Sequence, residues 1–324
     1  MIEKKKILFL VTEDWYFLSH RLRLALFLIK KGYEVHVCCK NTGKLKEITL
    51  HGINCHEQII RRKSLSILNF LKEAYRTYFL IKEINPSILH LISLRPIVLG
   101  FFISTFGLKA KICCTFTGLG TLFISNNVGH LFMKNIIKLF LMITYRINNA
   151  KIIVQNNDDA NYIAKFFFEK QKRFFLIKGS GIDTKFFKFK SEPKNNKHII
   201  LAYTGRLLKD KGVHWLIQAF LLAKKEIKNL SLILAGSWDN NNPSSLSEGD
   251  FKKLKQINGI HYLGNVRDVR KVWEKAHIAI LLSKREGLPL GLIEAAAVGR
   301  SIIATDVPGC REIVKDNVNG YTVR

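Results

Sequence analysis

Two glutamates separated by seven residues frame the run Arg285-Glu-Gly-Leu-Pro-Leu-Gly-Leu-Ile-Glu294, with Gly287, Pro289 and Gly291 between them. Carboxylates accept hydrogen bonds from hydroxyl groups. A glycine-bearing loop that runs into a helix aims free N–H groups and the positive end of the helix dipole at one point, which makes an anion site. Pro289 suits the first helical turn, which puts Glu286 in the loop and Glu294 in the second turn. Taken alone, the spacing is equally compatible with a solvated loop glutamate and a helix glutamate facing water.

A second candidate pair, Arg206 and Lys211, lies in the run Thr204-Gly-Arg-Leu-Leu-Lys-Asp-Lys-Gly212, directly after the apolar segment 199–203. Gly205 and Gly212 allow close backbone approach. Cations beyond the carboxyl end of a parallel strand sit where such sheets bind ligands. They could neutralise a diphosphate, the arginine as a bidentate fork and the lysine as a point charge. With 52 lysines and arginines in the chain, chance placement competes with this reading.

The elements that must position these residues follow from hydropathy. Residues 6–11 and 34–39 are short apolar runs separated by residues 18–31, whose apolar positions recur at helical spacing and stop at Gly32. The alternation continues with a helix over 65–84, a strand over 88–92, a helix after Pro96, a strand over 111–115, a helix over 130–148 and a strand over 151–155. A loop rich in Lys, Glu, Pro and Asn (189–197) precedes a second series. There strands are predicted over 199–203, 230–235, 260–263, 278–282 and 301–305, and helices over 213–227, 247–256, 267–275 and 289–298. Strands alternating with helices in this way predict two α/β domains with parallel, doubly wound sheets, divided as 1–178 and 179–324. The chain ends on a turn and one strand-like tripeptide, where a doubly wound domain would add a covering helix, so the second domain is expected to be incomplete.

Composition bounds the rest. A chain of 324 residues with 48% hydrophobic content can supply two cores. Cys38, Cys39, Cys55, Cys113, Cys114 and Cys310 show no metal-type spacing, and four of them lie as adjacent pairs in apolar runs. They read as reduced core residues of a cytosolic protein. The five apolar residues of the first strand are too few for a signal peptide, and no apolar run reaches the length of a membrane span. The net charge is +27, and no carboxylate occurs between Ile84 and Asn157, where Arg95, Lys109, Lys111, Lys134, Lys138, Arg146 and Lys151 stand among Phe, Leu and Ile. Basic residues interleaved with bulky apolar ones suit an anionic membrane surface. Nucleic acid is the rival partner, but no recognition motif for it is present; a solvated basic face remains the simplest alternative.

In this order the motifs resemble those of the retaining GT-B glycosyltransferases of family 4. The resemblance rests on Gly205-Arg-Leu-Leu-Lys-Asp-Lys-Gly212, the Glu286/Glu294 spacing, Gly179-Ser-Gly-Ile-Asp183 and Pro308-Gly-Cys-Arg-Glu312. In the first half, Phe17-Leu-Ser-His-Arg21, Gly32-Tyr-Glu-Val-His36, Thr117-Gly-Leu-Gly120 and Gln155-Asn-Asn-Asp-Asp159 resemble a branch that extends lipid-linked sugars for bacterial O-antigen, capsule or glycan assembly. The resemblance implies two Rossmann-like domains facing a cleft, the first binding the acceptor and the second the nucleotide sugar. It assigns Arg206 and Lys211 to the donor diphosphate, Glu286 to the donor sugar and Glu294 to the ribose. Gly205 and the backbone of Gly287, Leu288, Pro289, Leu290 and Gly291 would lie against the phosphates, and Gly264 and Asn265 near the base.

The implied reaction is transfer of a hexose or N-acetylhexosamine with retention, from a nucleotide sugar, UDP-linked by the branch resemblance, to a polyprenyl-diphosphate-linked saccharide. It would occur on the inner face of the plasma membrane. Two cations and a helix N-terminus can take the place of a divalent ion, so no metal or other cofactor is expected. On the acceptor side His20, Arg21, Arg95, Thr117 and Gly118 are the candidates, although capping or core roles compete for the first three. The sequence departs from the family where many members carry a histidine, reading Cys113-Cys-Thr-Phe-Thr-Gly118 instead, and in lacking the glycine pair of the first loop. A GT-B sugar-nucleotide epimerase and an inactive, truncated binding protein are the alternative readings.

Overall fold

The computed structural model describes residues 4–58, 66–118, 142, 145, 149–167, 174–194, 198–239, 242 and 244–324. They form two compact units, residues 1–180 and 181–324.

The first unit is built on seven strands: β1 (Lys6–Glu13), β2 (Glu34–Lys40), β3 (Asn54–Glu57), β4 (Ile88–Ile92), β5 (Lys111–Thr115), β6 (Lys151–Val154) and β7 (Phe174–Leu176). All pair in parallel, in the order β3-β2-β1-β4-β5-β6-β7. Alternate residues of β1 enter different cores. Leu8 and Leu10 pack with Leu89, Leu91 and Ile152 on one face, whereas Ile7, Phe9 and Val11 pack with Val35 and Val37 on the other. A sheet covered on both faces demands such continuous apolar runs, which is why its central strands were visible in the sequence.

The helices are α1 (Asp14–His20), α2 (Leu22–Lys30), α3 (Leu45–Thr49), α4 (Ile67–Ile84), α5 (Leu94–Ser104) and α6 (Asn157–Phe167). The single helix expected over 18–31 is two helices, broken where Arg21 leaves helical geometry at φ −127°. Ser66 caps α4 by accepting from the Asn69 amide, and Asn85 ends it in the left-handed conformation. β3, β7, α3 and α6 were not anticipated. The helix expected over 130–148 lies, apart from residues 142 and 145, outside the described residues.

The second unit carries β8 (Ile199–Thr204), β9 (Leu230–Ala235), β10 (Ile260–Gly264), β11 (Ile278–Leu281), β12 (Ser301–Thr305) and β13 (Gly320–Val323), in the parallel order β10-β9-β8-β11-β12-β13. The terminal tripeptide expected to be strand-like belongs to β13, in register with β12 from Ile302↔Gly320 to Thr305↔Val323. The helices are α7 (Val213–Glu226), α8 (Glu248–Leu254), α9 (Arg270–Lys275), α10 (Leu290–Val298) and α11 (Pro308–Arg311), and a single 3₁₀ turn covers Lys209–Lys211.

Each sheet therefore has a point where chain progression reverses, between β1 and β4 in the first unit and between β8 and β11 in the second. Beyond the carboxyl ends of these strand pairs two connections leave in opposite directions and open a crevice, the usual ligand position in such sheets.

Candidate functional site

Arg206 and Lys211 leave the end of β8, and Glu286 leaves the end of β11, so the reversal point of the second sheet unites two motifs 75 residues apart. Lys211 Nζ donates to both carboxylate oxygens of Glu286, at 2.6 and 2.7 Å. Glu286 is only 7% exposed, and a carboxylate this buried requires such partners. The Ser283 hydroxyl donates to its Oε1 at 2.5 Å. The Ser283 backbone is fixed in turn, since Thr305 Oγ1 donates to its carbonyl.

The loops are locked backbone to backbone. The Lys284 amide donates to the Asp210 carbonyl at 3.0 Å, tying the β11 loop to the β8 loop. Gly212, in the left-handed conformation at φ +70°, lies so close to β11 that a Cβ there would stand 1.9 Å from the Leu282 carbonyl oxygen. Tyr203 is buried, and its hydroxyl donates to the Arg206 carbonyl at 2.6 Å, orienting the segment that carries the guanidinium.

Glu286 is also joined to the loop after β12, because the Gly309 amide donates to its carbonyl at 3.2 Å. Helix α10 then starts at Leu290, with Pro289 as the N-cap residue and not inside the first turn as expected. The amides of Leu290 and Gly291 have no acceptor within the helix by construction, and they follow directly on Gly287 and Leu288. Gly291 presses on β8: a Cβ there would meet Thr204 Oγ1 at 2.4 Å.

Glu294 lies one turn into α10, 9% exposed, and accepts from Trp273 Nε1 of α9 at 3.3 Å. Burial pushes its carboxyl up to about 7, against the weaker opposing pull of the Trp273 hydrogen bond. Gly264 and Asn265 stand at the end of β10, linked towards the centre by the Gly236 amide, which donates to the Gly264 carbonyl at 2.8 Å. Gly205 is joined to β9 in the same way, its amide donating to the Ala235 carbonyl at 2.8 Å.

Ser283, Trp273, Tyr203 and Gly236 were not anticipated, and Gly309 entered only within the motif Pro308-Gly-Cys-Arg-Glu312, without a role. Of the first four, Tyr203 alone carried a signal, as an aromatic residue with a polar tip at the end of an apolar strand. The others act through contacts that no local spacing encodes.

The acceptor-side candidates lie on the segments that follow β1, β4 and β5. Asp14 opens α1, fully buried, and accepts from the amides of Trp15, Thr42 and Lys44 at 2.7, 2.7 and 2.8 Å and from the Thr42 hydroxyl. Burial pushes this carboxyl up, but the Thr42 hydroxyl and the three amides outweigh it and hold the group below its ordinary range. His20 stacks on Tyr16 with ring centroids 4.3 Å apart, and its Nδ1 lies 2.6 Å from the Ser19 hydroxyl.

Arg21 is buried at the break between α1 and α2. Its charge joins burial in pushing His90 down to about 3, so His90 is neutral, with its Nε2 2.8 Å from the Thr115 hydroxyl. Arg95 donates to Glu73 Oε2 at 2.7 Å and lies over the Phe70 ring. Thr117 and Gly118 follow β5, half-buried, with Gly118 at φ +116°.

A parallel sheet whose reversal point gathers cations, a helix start and buried carboxylates suits an anionic, hydroxyl-rich ligand. Comparison with known proteins identifies the class. The family model for glycosyl transferases group 1 matches residues 184–324, and that for glycosyl transferase 4-like proteins matches residues 6–157. The chain is therefore a group 1 glycosyltransferase with the two-domain GT-B fold.

It is 25% identical over 332 aligned positions to EpsD of Bacillus subtilis, which bears a glycosyltransferase designation, covering 99% of this chain and 84% of that protein. It is 30% identical over 128 positions to the capsular polysaccharide biosynthesis glycosyltransferase CapM of Staphylococcus aureus, and 27% identical over 216 positions to the N,N'-diacetylbacillosaminyl-diphospho-undecaprenol alpha-1,3-N-acetylgalactosaminyltransferase of Campylobacter jejuni. These matches cover 40% and 63% of this chain and span 33% and 54% of those relatives. Among solved structures, Anabaena HepE in complex with UDP-glucose shares the fold, with a TM-score of 0.72 at 17% identity over 98% of this chain and 85% of that one.

Proposed function

We propose that this glycosyltransferase moves a hexose or N-acetylhexosamine from a UDP-sugar to a polyprenyl-diphosphate-linked saccharide with retention at the anomeric carbon, at the inner face of the plasma membrane. The observation that carries the reading is the Lys211–Glu286 pair beside Arg206 and the start of α10. The UDP-glucose bound by HepE and the lipid-linked substrate in the name of the Campylobacter relative support the choice of nucleotide and acceptor. The residues numbered up to 178 would bind the acceptor, with His20, Arg21, Arg95, Thr117 and Gly118 as the candidates to contact it. Those from 179 onward would bind the donor.

In this reading Arg206 and Lys211 neutralise the departing diphosphate, and the amides of Leu290 and Gly291 add the field of a helix N-terminus. Glu286 accepts hydrogen bonds from the sugar hydroxyls, and Ser283 and Lys211 hold it in place to do so. Glu294 accepts from the ribose hydroxyls, while Gly264 and Asn265 border the base. The bond from the anomeric carbon to the diphosphate oxygen breaks and the acceptor oxygen bonds on the same face, its proton passing to the departing diphosphate. Catalysis is then positioning and stabilisation of the leaving charge.

A thermal-shift and calorimetric titration with UDP, GDP and ADP, followed by transfer assays with labelled UDP-sugars and a polyprenyl-diphosphate saccharide, tests the reading. UDP is expected to stabilise the protein most. Glu286→Gln should lose at least 100-fold in turnover while keeping UDP affinity within a few-fold, and Lys211→Ala should weaken UDP at least tenfold. No stabilisation by any nucleotide, or a Glu286→Gln variant that keeps turnover, would refute it.

A further inference from the structure

Helix α4 presents to solvent the kind of face that globular proteins bury. Its 18 residues extend about 27 Å at 1.5 Å per residue. One side, with Ala74, Thr77, Ile81 and Ile84, packs on the first sheet. The other side exposes Leu68 (73%), Leu71 (45%), Tyr75 (67%) and Phe79 (50%). The intervals of three and four residues place these four on one stripe. The stripe continues beyond the helix, because Phe79 meets Tyr78 at 5.5 Å between centroids and Tyr78 meets Phe106, 58% exposed, at 6.1 Å. A contiguous apolar face of this kind on a soluble domain marks a surface that something covers.

The charges around the stripe identify what covers it. Lys72, Arg76 and Lys82 are exposed along the same helix, and among the described residues none is held in an ion pair. Lys82 lies 4.8 Å from the Tyr78 ring centroid, at the aromatic end of the stripe. Of the two carboxylates on α4, Glu73 is buried and bound by Arg95, which leaves Glu83 alone exposed. Beyond the helix, no carboxylate follows in the sequence until Asp158.

Aliphatic and aromatic side chains flanked by unpaired cations fit the boundary of an anionic bilayer: the rings and leucines enter the acyl edge while the cations meet lipid phosphates. A protein partner would have to supply acidic groups in register around an apolar centre, whereas a lipid surface supplies both without register. No helix among the described residues is long and apolar enough to cross a membrane.

We infer that the exposed face of α4, continued by Phe106, is the surface through which this chain docks on an anionic lipid bilayer. The inference rests on the lipid-linked acceptor proposed above, and it centres the contact on α4, which precedes the carboxylate-free stretch that suggested membrane affinity in the sequence, with Phe106 inside that stretch.

The test is co-sedimentation of the full chain with vesicles of phosphatidylcholine alone or with 30% phosphatidylglycerol, at low and high salt. The wild type should bind the anionic vesicles, and salt should weaken the binding. The double variant Tyr75→Ser/Phe79→Ser and the charge reversal Lys72→Glu/Arg76→Glu should each weaken it at least tenfold. Phe27→Ser, which removes an exposed ring on α2, should not. Each variant should keep the thermal shift with UDP, which reports folding and the donor site.

If both double variants bind vesicles like the wild type, or if Phe27→Ser weakens binding as much, the assignment of this face is overturned. Loss of a self-associated species on Tyr75→Ser/Phe79→Ser, with vesicle binding unchanged, would instead assign the face to a second copy of the chain. Vesicle binding without any UDP effect would refute the functional reading and leave the docking face standing; the converse would refute only the docking face.

Discussion

The two units repeat one topology and use it differently. Both sheets are parallel and both reverse at the strand that opens the unit, β1 or β8, yet among the described residues it is the second reversal point where loop glycines and a Lys–Glu pair meet. After β8 come Gly205 and Gly212, and the loop lies against β11 so closely that Gly212 leaves no room for a side chain. After β1 the chain turns at once into α1, and the buried carboxylate of Asp14 ties it to the loop after β2 by accepting from the Thr42 and Lys44 amides. The loops of the second unit meet through backbone made bare by glycine, and those of the first are tied by a buried carboxylate. The fold supplies the position, and the first residues beyond each strand decide what chemistry it presents.

The largest expected effect breaks the glycine contact of the second unit. In Gly212→Val the new side chain must share space with the Leu282 carbonyl at a backbone conformation disfavoured for β-branched residues. A loss of about 4 kcal/mol in urea unfolding is expected, from steric displacement together with backbone strain, and UDP binding should be lost with it. Unchanged stability would mean that the two loops are not in contact as described. The matching change in the first unit is Asp14→Asn, which puts an amide N–H₂ where backbone amides donate. It should cost about 3 kcal/mol, the scale for charged hydrogen bonds lost in a buried site, yet leave UDP affinity intact. Because the carboxyl is held low when folded, its contribution is present above the ordinary carboxylate range and fades as pH falls through the folded value. The variant should therefore approach the wild type in acid, and a gap independent of pH would remove the ionic account.

How far the sequence revealed these two regions follows from the physics of each element. β4, β5, β9 and β12 begin and end where the apolar runs do, since a strand buried on both faces writes its limits into hydropathy. β3 reads Asn-Cys-His-Glu and is a strand only because β2 pairs with it. The break at Arg21 left no trace, because the apolar positions of α1 and α2 share one helical phase. In the candidate site, Lys211 and Glu286 were each visible as a chemical type, with separate roles on the ligand. Their ion pair was not visible, because it depends on β8 and β11 being neighbours although 73 residues separate the end of one from the start of the other. The buried state of Glu294 was equally hidden: helical spacing placed it on α10, but the Trp273 that covers it comes from α9.

That buried glutamate supplies the smallest of the expected effects, and it sharpens the contrast with Asp14, since the same chemical group is shifted in opposite directions. Glu294 has its carboxyl raised from 4.5 to about 7 by burial. Between these values the folded protein binds more protons than the unfolded chain, so its stability declines as pH rises from about 4.5 to 7, and the full penalty persists above that. Glu294→Gln keeps an acceptor for Trp273 Nε1 and cannot ionise. It should match the wild type near pH 4 and exceed it by about 2 kcal/mol at pH 8, less than the full linkage value of the shift because the amide is itself imperfectly solvated there. In the same variant UDP affinity should fall at neutral pH if the ribose hydroxyls donate to this group. Denaturant unfolding across pH measures the first effect and calorimetry with UDP the second. A variant that gains no stability at pH 8 would show that the folded carboxylate finds compensation other than the Trp273 hydrogen bond. Unchanged UDP affinity would move the ribose contact to another residue.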